Sequence, residues 1–461
     1  MPYQEVRTVM STGIRIMWRA IVLLVLSAAL LMPANAAELA GQVVDEAGQG
    51  LIARVTVVSS TTRASEVAFT APDGSFRMQV PEGELHVLAT RGPEWSIAEA
   101  QAQDGQQLSL QLQRLVDMPA RGWWGADLHM HSTVSDGAQS PEDVAYACRA
   151  EGLQIAALAD HNTVDHHPVW LAQRSDDFLP IRGQEVTTKR GHMVAINNPS
   201  LISHDISQGE ADARRIFRQI REDGGVSIVA HPYVPGHVYQ FPEVLDYDAM
   251  EILNGSVPPH GPVFDFVQGR KAWHQLLSQG HRIAVVGNSD CHDVTSGTGR
   301  RLLRNPEQSS QSDWRLGMMV ALVDFEQIIE PWGWKGLHVG FYRTYLQMDE
   351  PSEENVADAV RAGRGFVTNG PLLIATLDGQ LPGAEIQLGE RERLELAAEM
   401  IANRPLERLE ILVNGEPQLC VGTSSAAQTA VTVPVRPGDW VVAELYGQWP
   451  EFATTNAWYV R

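Results

Sequence analysis

Five apolar stretches of this chain each lead to residues that commonly bind metal ions, and this repetition constrains the fold more than any other feature. Apolar runs of this length between polar residues are typical of buried strands. Where successive strands end at one edge of a sheet, the polar residues that follow them lie close together. The pattern therefore predicts a multinuclear metal site. The stretches and the residues that follow them are 124–128 with His129 and His131, 155–159 with Asp160 and His161, 181 with Glu185, 226–230 with His231, and 283–287 with Asp290 and His292.

Amphipathic helical patterns separate these apolar runs. Ser140 is a helix cap and Pro141 fits the first helical position, with two carboxylates after it, so a helix is expected to run from there to Gly152. Further helices are expected over 210–222, 264–277 and 352–363. Strands that alternate with helices predict an α/β fold with a parallel sheet, and ligands at the carboxyl ends of its strands.

The two ends of the chain have a different texture, with short alternating strands separated by turns. This pattern predicts an N-terminal β-sandwich over 38–116 and a C-terminal β-sandwich over 373–461, flanking a central domain over 117–372. A tryptophan-bearing insertion over 296–340 interrupts the central domain. The sequence leaves open whether this insertion is a loop near the site or a surface for a partner.

Residues 1–36 have the features of a secretory signal peptide. Arg15 and Arg19 precede an apolar stretch over 20–31, and Ala34-Asn35-Ala36 fits a small-x-small cleavage site. We expect a secreted, periplasmic protein that keeps no stable membrane anchor after cleavage. An uncleaved N-terminal anchor is the alternative interpretation.

The overall charge restricts the class of partner. The net charge is −21, and no basic tract follows the N-terminus, which argues against binding of duplex nucleic acid. A small anionic substrate is still compatible, because bound divalent ions supply local positive charge. The three cysteines, Cys148, Cys291 and Cys420, are too few and too scattered for a disulfide framework. Cys291 is interpreted as a buried thiol, because on a strand end it points away from both neighbours.

The candidate ligands outnumber the needs of a single ion. Residues i and i+2 of a strand project to the same side, so His129 and His131 can hold one ion. Six imidazoles and three carboxylates suit two or three divalent ions of zinc, manganese or iron. The nine candidates are His129, His131, Asp136, His161, Glu185, His192, His231, Asp290 and His292.

The order of these motifs resembles a known family. D-L-H-M-H, S-D-G, A-D-H-N, Q-E, G-H, A-H-P and S-D-C-H, over residues 117–372, look like the polymerase-and-histidinol-phosphatase (PHP) domain, and within it the carbaryl-hydrolase-like CehA/McbA branch. The stretches 342–345 and 362–371 are also similar to that branch. The resemblance implies a distorted (β/α)7 barrel. The N-terminal region resembles the regulatory-like β-sandwich found beside carboxypeptidases.

The resemblance also implies how the ligands are shared. Asp136 stands where many relatives have a histidine, so either two or three ions are implied. The implied positions are held by His129, His131 and Asp290; by His192, His231 and the bridging Glu185; and by Asp136, His161 and His292.

The resemblance implies a hydrolase that cleaves a phosphoester of a small molecule, using a hydroxide that bridges the ions. Its nearer branch equally implies hydrolysis of a carboxylic ester or a carbamate on the same site. A third hypothesis is a non-catalytic binding module, in which metals stabilise the barrel and the flanking domains bind another surface. A structural ion prefers closed four-coordinate ligation, whereas a shared cluster leaves positions open to water, which favours the enzyme.

Three further residues are candidates for roles around the ions. Asp160 is expected to orient a ligand or carry a proton, with capping of the strand end as the alternative. Arg343 is a candidate to bind an anionic substrate, since a guanidinium matches two phosphate oxygens, and a structural arginine is the alternative. His237 is a candidate substrate contact.

Overall fold

The computed structural model describes most of the chain. It covers residues 37–61, 64–234, 236–255, 262–295, 338–422, 426–447 and 451–461. The expected signal peptide and most of the 296–340 insertion lie outside the described residues, so both stay predictions. Within the described part of the chain, no helix combines the length and the apolar character needed to cross a membrane.

The N-terminal region folds into two sheets around a shared apolar core. The sheets have the strand orders β4-β1-β7 and β3-β2-β5-β6. Val55, Val57, Phe76 and Leu110 belong to the core between them, as expected for alternating strands that bury one face each. The strands are β1 Glu38–Val44, β2 Arg54–Ser59, β3 Ser65–Phe69, β4 Ser75–Gln79, β5 Leu85–Thr90, β6 Ala98–Ala102 and β7 Gln107–Gln111.

The central region alternates strands with helices, as the sequence predicts. A short 3-10 helix over Pro119–Arg121 precedes it. Its elements are β8 Trp123–Met130, α1 Pro141–Ala150, β9 Ile155–Leu158, α2 His167–Leu171, β10 Leu179–Ile181, β11 Gly183–Thr188, β12 Gly191–Ile196, α3 Glu210–Glu222, β13 Val226–Ala230, β14 Ala249–Asn254, α4 Pro262–Ser278, β15 Ala284–Asn288, β16 Arg343–Gln347, α5 Glu353–Arg361 and β17 Gly365–Thr368.

The helix signals in the sequence correspond to the observed boundaries. Ser140 caps α1, with its Oγ accepting from the Asp143 amide at 3.2 Å, and Ser352 caps α5 in the same way at 3.1 Å from the Asn355 amide. Helix α3 spans the residues expected, and α4 is slightly longer than expected. The short helix α2 was not predicted, because its five residues are too few to show a helical repeat of apolar positions.

The central strands form two mixed sheets, and the prediction of a parallel sheet is only partly right. The sets β8, β9, β10 and β13, β14, β15 are parallel, but β11, β12 and β13 are successively antiparallel, and β16 is antiparallel to β8. The two sheets meet through isolated bridges between Met130 and Cys291 and between His161 and Glu185. Within the described residues the ladder does not close into a continuous barrel, so the distorted (β/α)7 barrel stays a proposal.

The C-terminal strands form two sheets that share an apolar core, and one of these sheets is continuous with a sheet of the central region. Strand β17 pairs with β25, so one sheet of eleven strands runs from β10 through β8 and β17 to β22. A second sheet, in the order β18-β20-β23, shares an apolar core with it. The strands are β18 Leu372–Leu377, β19 Glu385–Ile386, β20 Arg393–Ile401, β21 Leu406–Val413, β22 Glu416–Gly422, β23 Ala426–Pro434, β24 Trp440–Gly447, β25 Phe452–Thr455 and β26 Trp458–Val460.

Phe452→Ala tests this continuity. Phe452 is buried in a core shared with Trp273 and Val285 of the central region, so we expect a loss of about 3–5 kcal/mol in the free energy of unfolding. Val267→Ala is the control, because Val267 is 50% exposed on α4 and should change stability by less than about 0.5 kcal/mol. Hydrogen exchange should show weakened protection in β15 and β17 as well as in β25. Weakening confined to residues after β17 would contradict the shared core.

Candidate metal centre

The ends of four strands and one hairpin bring the nine candidate ligands together at one edge of the fold. The ends of β8, β9, β13 and β15 supply most of them, and Glu185 lies within β11. His192 opens β12 instead of following a strand end, but β12 is antiparallel to β13 and His192 pairs with Ala230. Because of this reversal, the imidazole of His192 reaches the same edge as that of His231.

The carboxylate of Glu185 is the centre of the cluster, and it is fully buried. Its Oε1 lies 2.8 Å from His192 Nδ1 and 3.2 Å from His231 Nε2. Its Oε2 lies 2.7 Å from His161 Nδ1 and 3.5 Å from His129 Nε2. The two oxygens therefore face different imidazoles, which is the arrangement of a carboxylate shared between two ions.

Asp290 faces the H-x-H pair of β8 on the other side of the cluster. Its Oδ1 is 3.0 Å from His131 Nε2 and 3.4 Å from His129 Nε2. Both histidines are buried. The nitrogen and oxygen atoms of these three residues lie close enough together to hold one ion, and so do those of a second group formed by His129, Glu185 and His231.

Asp136 forms a third group that opens toward solvent. Its carboxylate lies 3.4 Å from Nε2 of both His161 and His292, and His131 completes the set. The Asp136 side chain is 55% exposed, in contrast to the buried Glu185. The cluster therefore has a buried inner part and an outer part that is exposed to solvent.

The buried Nε2 of His129 lacks a hydrogen bond of normal geometry among the described atoms. It lies 3.5 Å from Glu185 Oε2 and 3.4 Å from Asp290 Oδ1. Buried polar groups in folded proteins are almost always paired. A divalent ion between this nitrogen and the two carboxylates would satisfy it, so the residues fit the multinuclear site that the sequence predicts.

Two of the candidate ligands have strained backbones. His231 and Asp290 have φ values of +27° and +51°, in a region that non-glycine residues rarely adopt. Both follow directly or closely on strand ends, and the turn redirects each side chain into the cluster.

Cys291 is buried between two candidate ligands, and burial raises the pKa of its thiol to about 12, as expected for a spectator thiol.

Glu251 supports the cluster and was missed in the sequence. This fully buried carboxylate accepts from His129 Nδ1 at 2.9 Å and from the His231 amide at 2.8 Å. The first bond places the proton of His129 on Nδ1 and leaves Nε2 for an ion. Asn254 and Asn288 donate to the remaining lone pairs. The available signal was an acidic residue inside the otherwise apolar strand β14.

Asp127 links the strand ends that carry the candidate ligands through hydrogen bonds. Its carboxylate accepts from the Ser289 amide at 3.1 Å and the Gly340 amide at 2.8 Å. Burial raises the pKa of Asp127 to about 6. Through these bonds the end of β8 is held to the residues that follow β15.

Asp160 organises the loop beside the cluster. It is fully buried and accepts from the Ser132 amide at 2.8 Å, from Ser132 Oγ at 2.7 Å and from Ser135 Oγ at 2.6 Å. The Oδ2 atom that accepts from Ser132 Oγ also lies 3.1 Å from His166 Nδ1. These contacts fix the loop that carries Asp136, so the position of Asp160 fits an orienting role better than proton transfer.

The two expected substrate contacts have different positions. Arg343 is buried and donates to the carbonyls of Gly340 at 2.7 Å and Glu151 at 3.1 Å, so the expectation that it binds an anionic substrate does not fit its position. His237 lies at the edge of the cluster, with Nδ1 3.2 Å from His192 Nε2. Burial, followed by the neighbouring His192 and His231, lowers the pKa of His237.

The electrostatics of the cluster favour positive charge at its centre. Burial opposes ionisation of Glu185, but the surrounding imidazoles hold the pKa of this carboxyl well below its usual range. Burial likewise opposes a charged His161, yet Asp136 and Glu185 raise its pKa to about 10. Contacts with Glu185 and Asp290 raise the pKa of His231 to about 9 against the effect of burial. In the absence of bound ions, protonation of these imidazoles compensates the negative charge of the carboxylates.

Comparison with known proteins adds similarities of limited extent. No protein-family model matches the chain. The chain is similar to an uncharacterized protein of Methanocaldococcus jannaschii, with 26% identity over 148 residues that cover 28% of this chain and 81% of that protein. It is also similar to a 5'-3' exoribonuclease of Haemophilus influenzae, with 37% identity over 76 residues that cover 15% of this chain and 28% of that enzyme. The second match concerns a segment of the exoribonuclease and not the whole enzyme.

Two solved structures show distant similarity. One is a two-domain protein from Bacteroides vulgatus that contains a predicted PHP-like metal-dependent phosphoesterase, with 16% identity, a TM-score of 0.38, and coverage of 70% of this chain and 90% of that chain. The other is an amidohydrolase from Chromobacterium violaceum with bound sulfate, with 19% identity, a TM-score of 0.27, and coverage of 36% and 87%. Similarity at this level does not assign a function to the chain.

Metal binding should release protons. Ligation needs neutral imidazoles, whereas the pKa values of His161 and His231 are raised to about 10 and about 9 in the metal-free cluster. We expect zinc binding to release protons at about pH 7.5, and the apparent affinity to increase as the pH rises. Calorimetry in two buffers with different ionisation enthalpies measures this release. A binding enthalpy independent of the buffer would contradict it.

Glu251→Gln tests the supporting carboxylate. A glutamine side chain is neutral, so it accepts hydrogen bonds from His129 Nδ1 and from the His231 backbone amide more weakly than a carboxylate does. We therefore expect metal affinity to fall about 10- to 100-fold. Competition with a chelator measures the affinity. The matched control is Glu222→Gln, at the exposed end of α3, which should leave affinity unchanged. An unchanged affinity in the Glu251 variant would show that this contact does not orient His129.

Proposed function

We propose that this protein is a metal-dependent hydrolase that cleaves a phosphoester of a small molecule. The arrangement of Glu185 carries the proposal, because one buried carboxylate faces imidazoles on both of its oxygens. A purely structural ion is enclosed by four ligands. The half-exposed Asp136 instead leaves one side of the cluster open, as an enzyme requires.

The ions would be held by the three groups described above, and His192, which belongs to none of these groups, lies beside Glu185 as the ninth candidate ligand. Bound divalent ions lower the pKa of a coordinated water toward about 7 and so supply hydroxide at neutral pH. The chain's part is to fix the ligands before the substrate arrives. Glu251 holds His129 and the His231 backbone, and Asp160 holds the loop that carries Asp136.

The charge of the site favours an anionic substrate. Three divalent ions would exceed the charge of the four carboxylates around them, which are those of Asp136, Glu185, Glu251 and Asp290. Two ions would only balance these carboxylates. A filled third position therefore favours a phosphoester, and an unfilled one favours a neutral carboxylic ester or carbamate. We also propose that His237, on the loop after His231, contacts a substrate; its position beside His192 supports this role.

We also propose a family branch, a barrel fold, a cellular location and a role for the flanking domains. The ordered motifs support the CehA/McbA branch, and the two bridges between the central sheets support a distorted (β/α)7 barrel. The basic and apolar residues before Ala36 support export and a periplasmic location, without a stable membrane anchor after cleavage. The flanking β domains are proposed to be accessory units rather than sites of chemistry.

Two substitutions separate the phosphoester from the carboxylic ester. Glu185→Gln should lower hydrolysis of nitrophenyl phosphate and nitrophenyl acetate alike by more than about 100-fold, because the shared ligand is lost. Asp136→Ala should remove the third ion and lower hydrolysis of the phosphate about 10- to 100-fold, with a smaller effect on the acetate.

The matched control for these assays is Asp165→Ala, which removes an exposed carboxylate outside the cluster. It should leave both rates unchanged. Phosphate hydrolysis that survives Glu185→Gln would rule out the proposed site. Equal losses for both substrates in the Asp136 variant would remove the argument for an anionic substrate.

A further inference from the structure

Arg54 of the N-terminal sandwich reaches across to the chain segment that follows the metal centre. It lies at the start of β2, and only 6% of the residue is exposed. Its Nη1 donates to the carbonyl of Val294 at 3.1 Å and lies 3.4 Å from Glu151 Oε1 at the end of α1. Val294 follows the candidate ligand His292 by two residues. A buried guanidinium of one domain is thus hydrogen-bonded beside the site of another.

The partner of Arg54 belongs to a wider buried network. The other contact of Glu151 Oε1 is His338 Nδ1 at 3.1 Å. The main-chain carbonyl of Glu151 accepts from Arg343, which also donates to the carbonyl of Gly340. The Gly340 amide in turn donates to Asp127. The described residues on both sides of the 296–337 segment are therefore held by one cluster, and Arg54 is its contribution from the sandwich.

The loop that carries His292 is held from two directions. On one side, the Val294 amide donates to Gln139 Oε1 at 3.0 Å, and the Ala138 amide donates to the His292 carbonyl at 2.8 Å. On the other side, Arg54 donates a hydrogen bond to the Val294 carbonyl. Removing Arg54 would leave both that carbonyl and the carboxylate of Glu151 with fewer partners in a buried place, which is costly. The loop would then shift or loosen.

We propose that Arg54 is a positioning residue for the outer ion position, through its bond to the loop of His292. This inference rests on the proposed function for its consequence in metal binding, but not for its effect on the loop. The N-terminal sandwich is then a structural part of the metal centre and not an independent appendage.

Other bonds between the two domains provide a matched control. Tyr146 Oη donates to the carbonyl of Thr70 at 2.6 Å, which joins α1 to the sandwich without touching the loop of His292. Tyr146→Phe removes this bond and keeps the ring. It therefore reports what the loss of an ordinary interdomain contact does.

The experiment compares Arg54→Met, Arg54→Lys and Tyr146→Phe in the full chain. Hydrogen exchange of residues 290–295, measured without metal, should be accelerated by about tenfold or more in Arg54→Met, less in Arg54→Lys, and not in Tyr146→Phe. With zinc added, Arg54→Met should bind one ion fewer than the unaltered chain. The double variant Arg54→Met with Glu151→Gln also removes the carboxylate charge that has lost Arg54, so it separates the loop effect from general misfolding. It should regain thermal stability while the loop exchanges as fast as in Arg54→Met.

The outcomes distinguish this inference from the proposed function. Loop exchange that is unchanged in Arg54→Met, or equally accelerated in Tyr146→Phe, would overturn the positioning role. An unchanged zinc count in Arg54→Met would also overturn it, provided that the unaltered chain binds three ions. If the unaltered chain binds none while the loop still responds only to Arg54, the proposed function fails and the bond from Arg54 to the loop stands.

Discussion

A single buried carboxylate, that of Glu185, is the constraint on which the rest of the structure depends. A buried charge is costly unless an opposite charge compensates it. Here the compensation comes from four imidazoles, each supplied by a different strand or by the residues that follow it. Those strands must end at one edge and in a fixed register to supply it. The unusual backbones of His231 and Asp290 follow from the same demand, because ordinary strand ends would not turn their side chains inward.

The parts of the chain around the centre are less separate than their sequence textures indicate. One sheet continues from the central region into the C-terminal strands through β17 and β25, and the N-terminal sandwich contributes a buried arginine beside the site. Glu94 of the sandwich also accepts from Tyr345 of β16 at 3.1 Å. Such polar contacts give each domain a defined orientation, whereas apolar contact alone would leave more freedom.

The sequence predicts local features well and long-range pairing poorly. The H-x-H pair and the apolar runs reveal candidate ligands because strand geometry links residues i and i+2 within a few positions. The antiparallel pairing of β11 with β12 is not visible in this way, since it depends on register between strands. Glu251 was missed because a single acid within a strand has no partner in the sequence pattern. The sequence left open whether Arg343 binds substrate or is structural, because its observed partners are main-chain carbonyls, which a sequence pattern does not reveal.

We propose that side chains from across the central region together hold several cations. The most direct measurement is the number and position of bound ions in the full chain purified with zinc or manganese, by mass spectrometry of the metal together with anomalous X-ray scattering. Two or three ions per chain, each within bonding distance of the side chains around Glu185, are the expected result. No bound ion, or a single ion away from Glu185, would contradict the account.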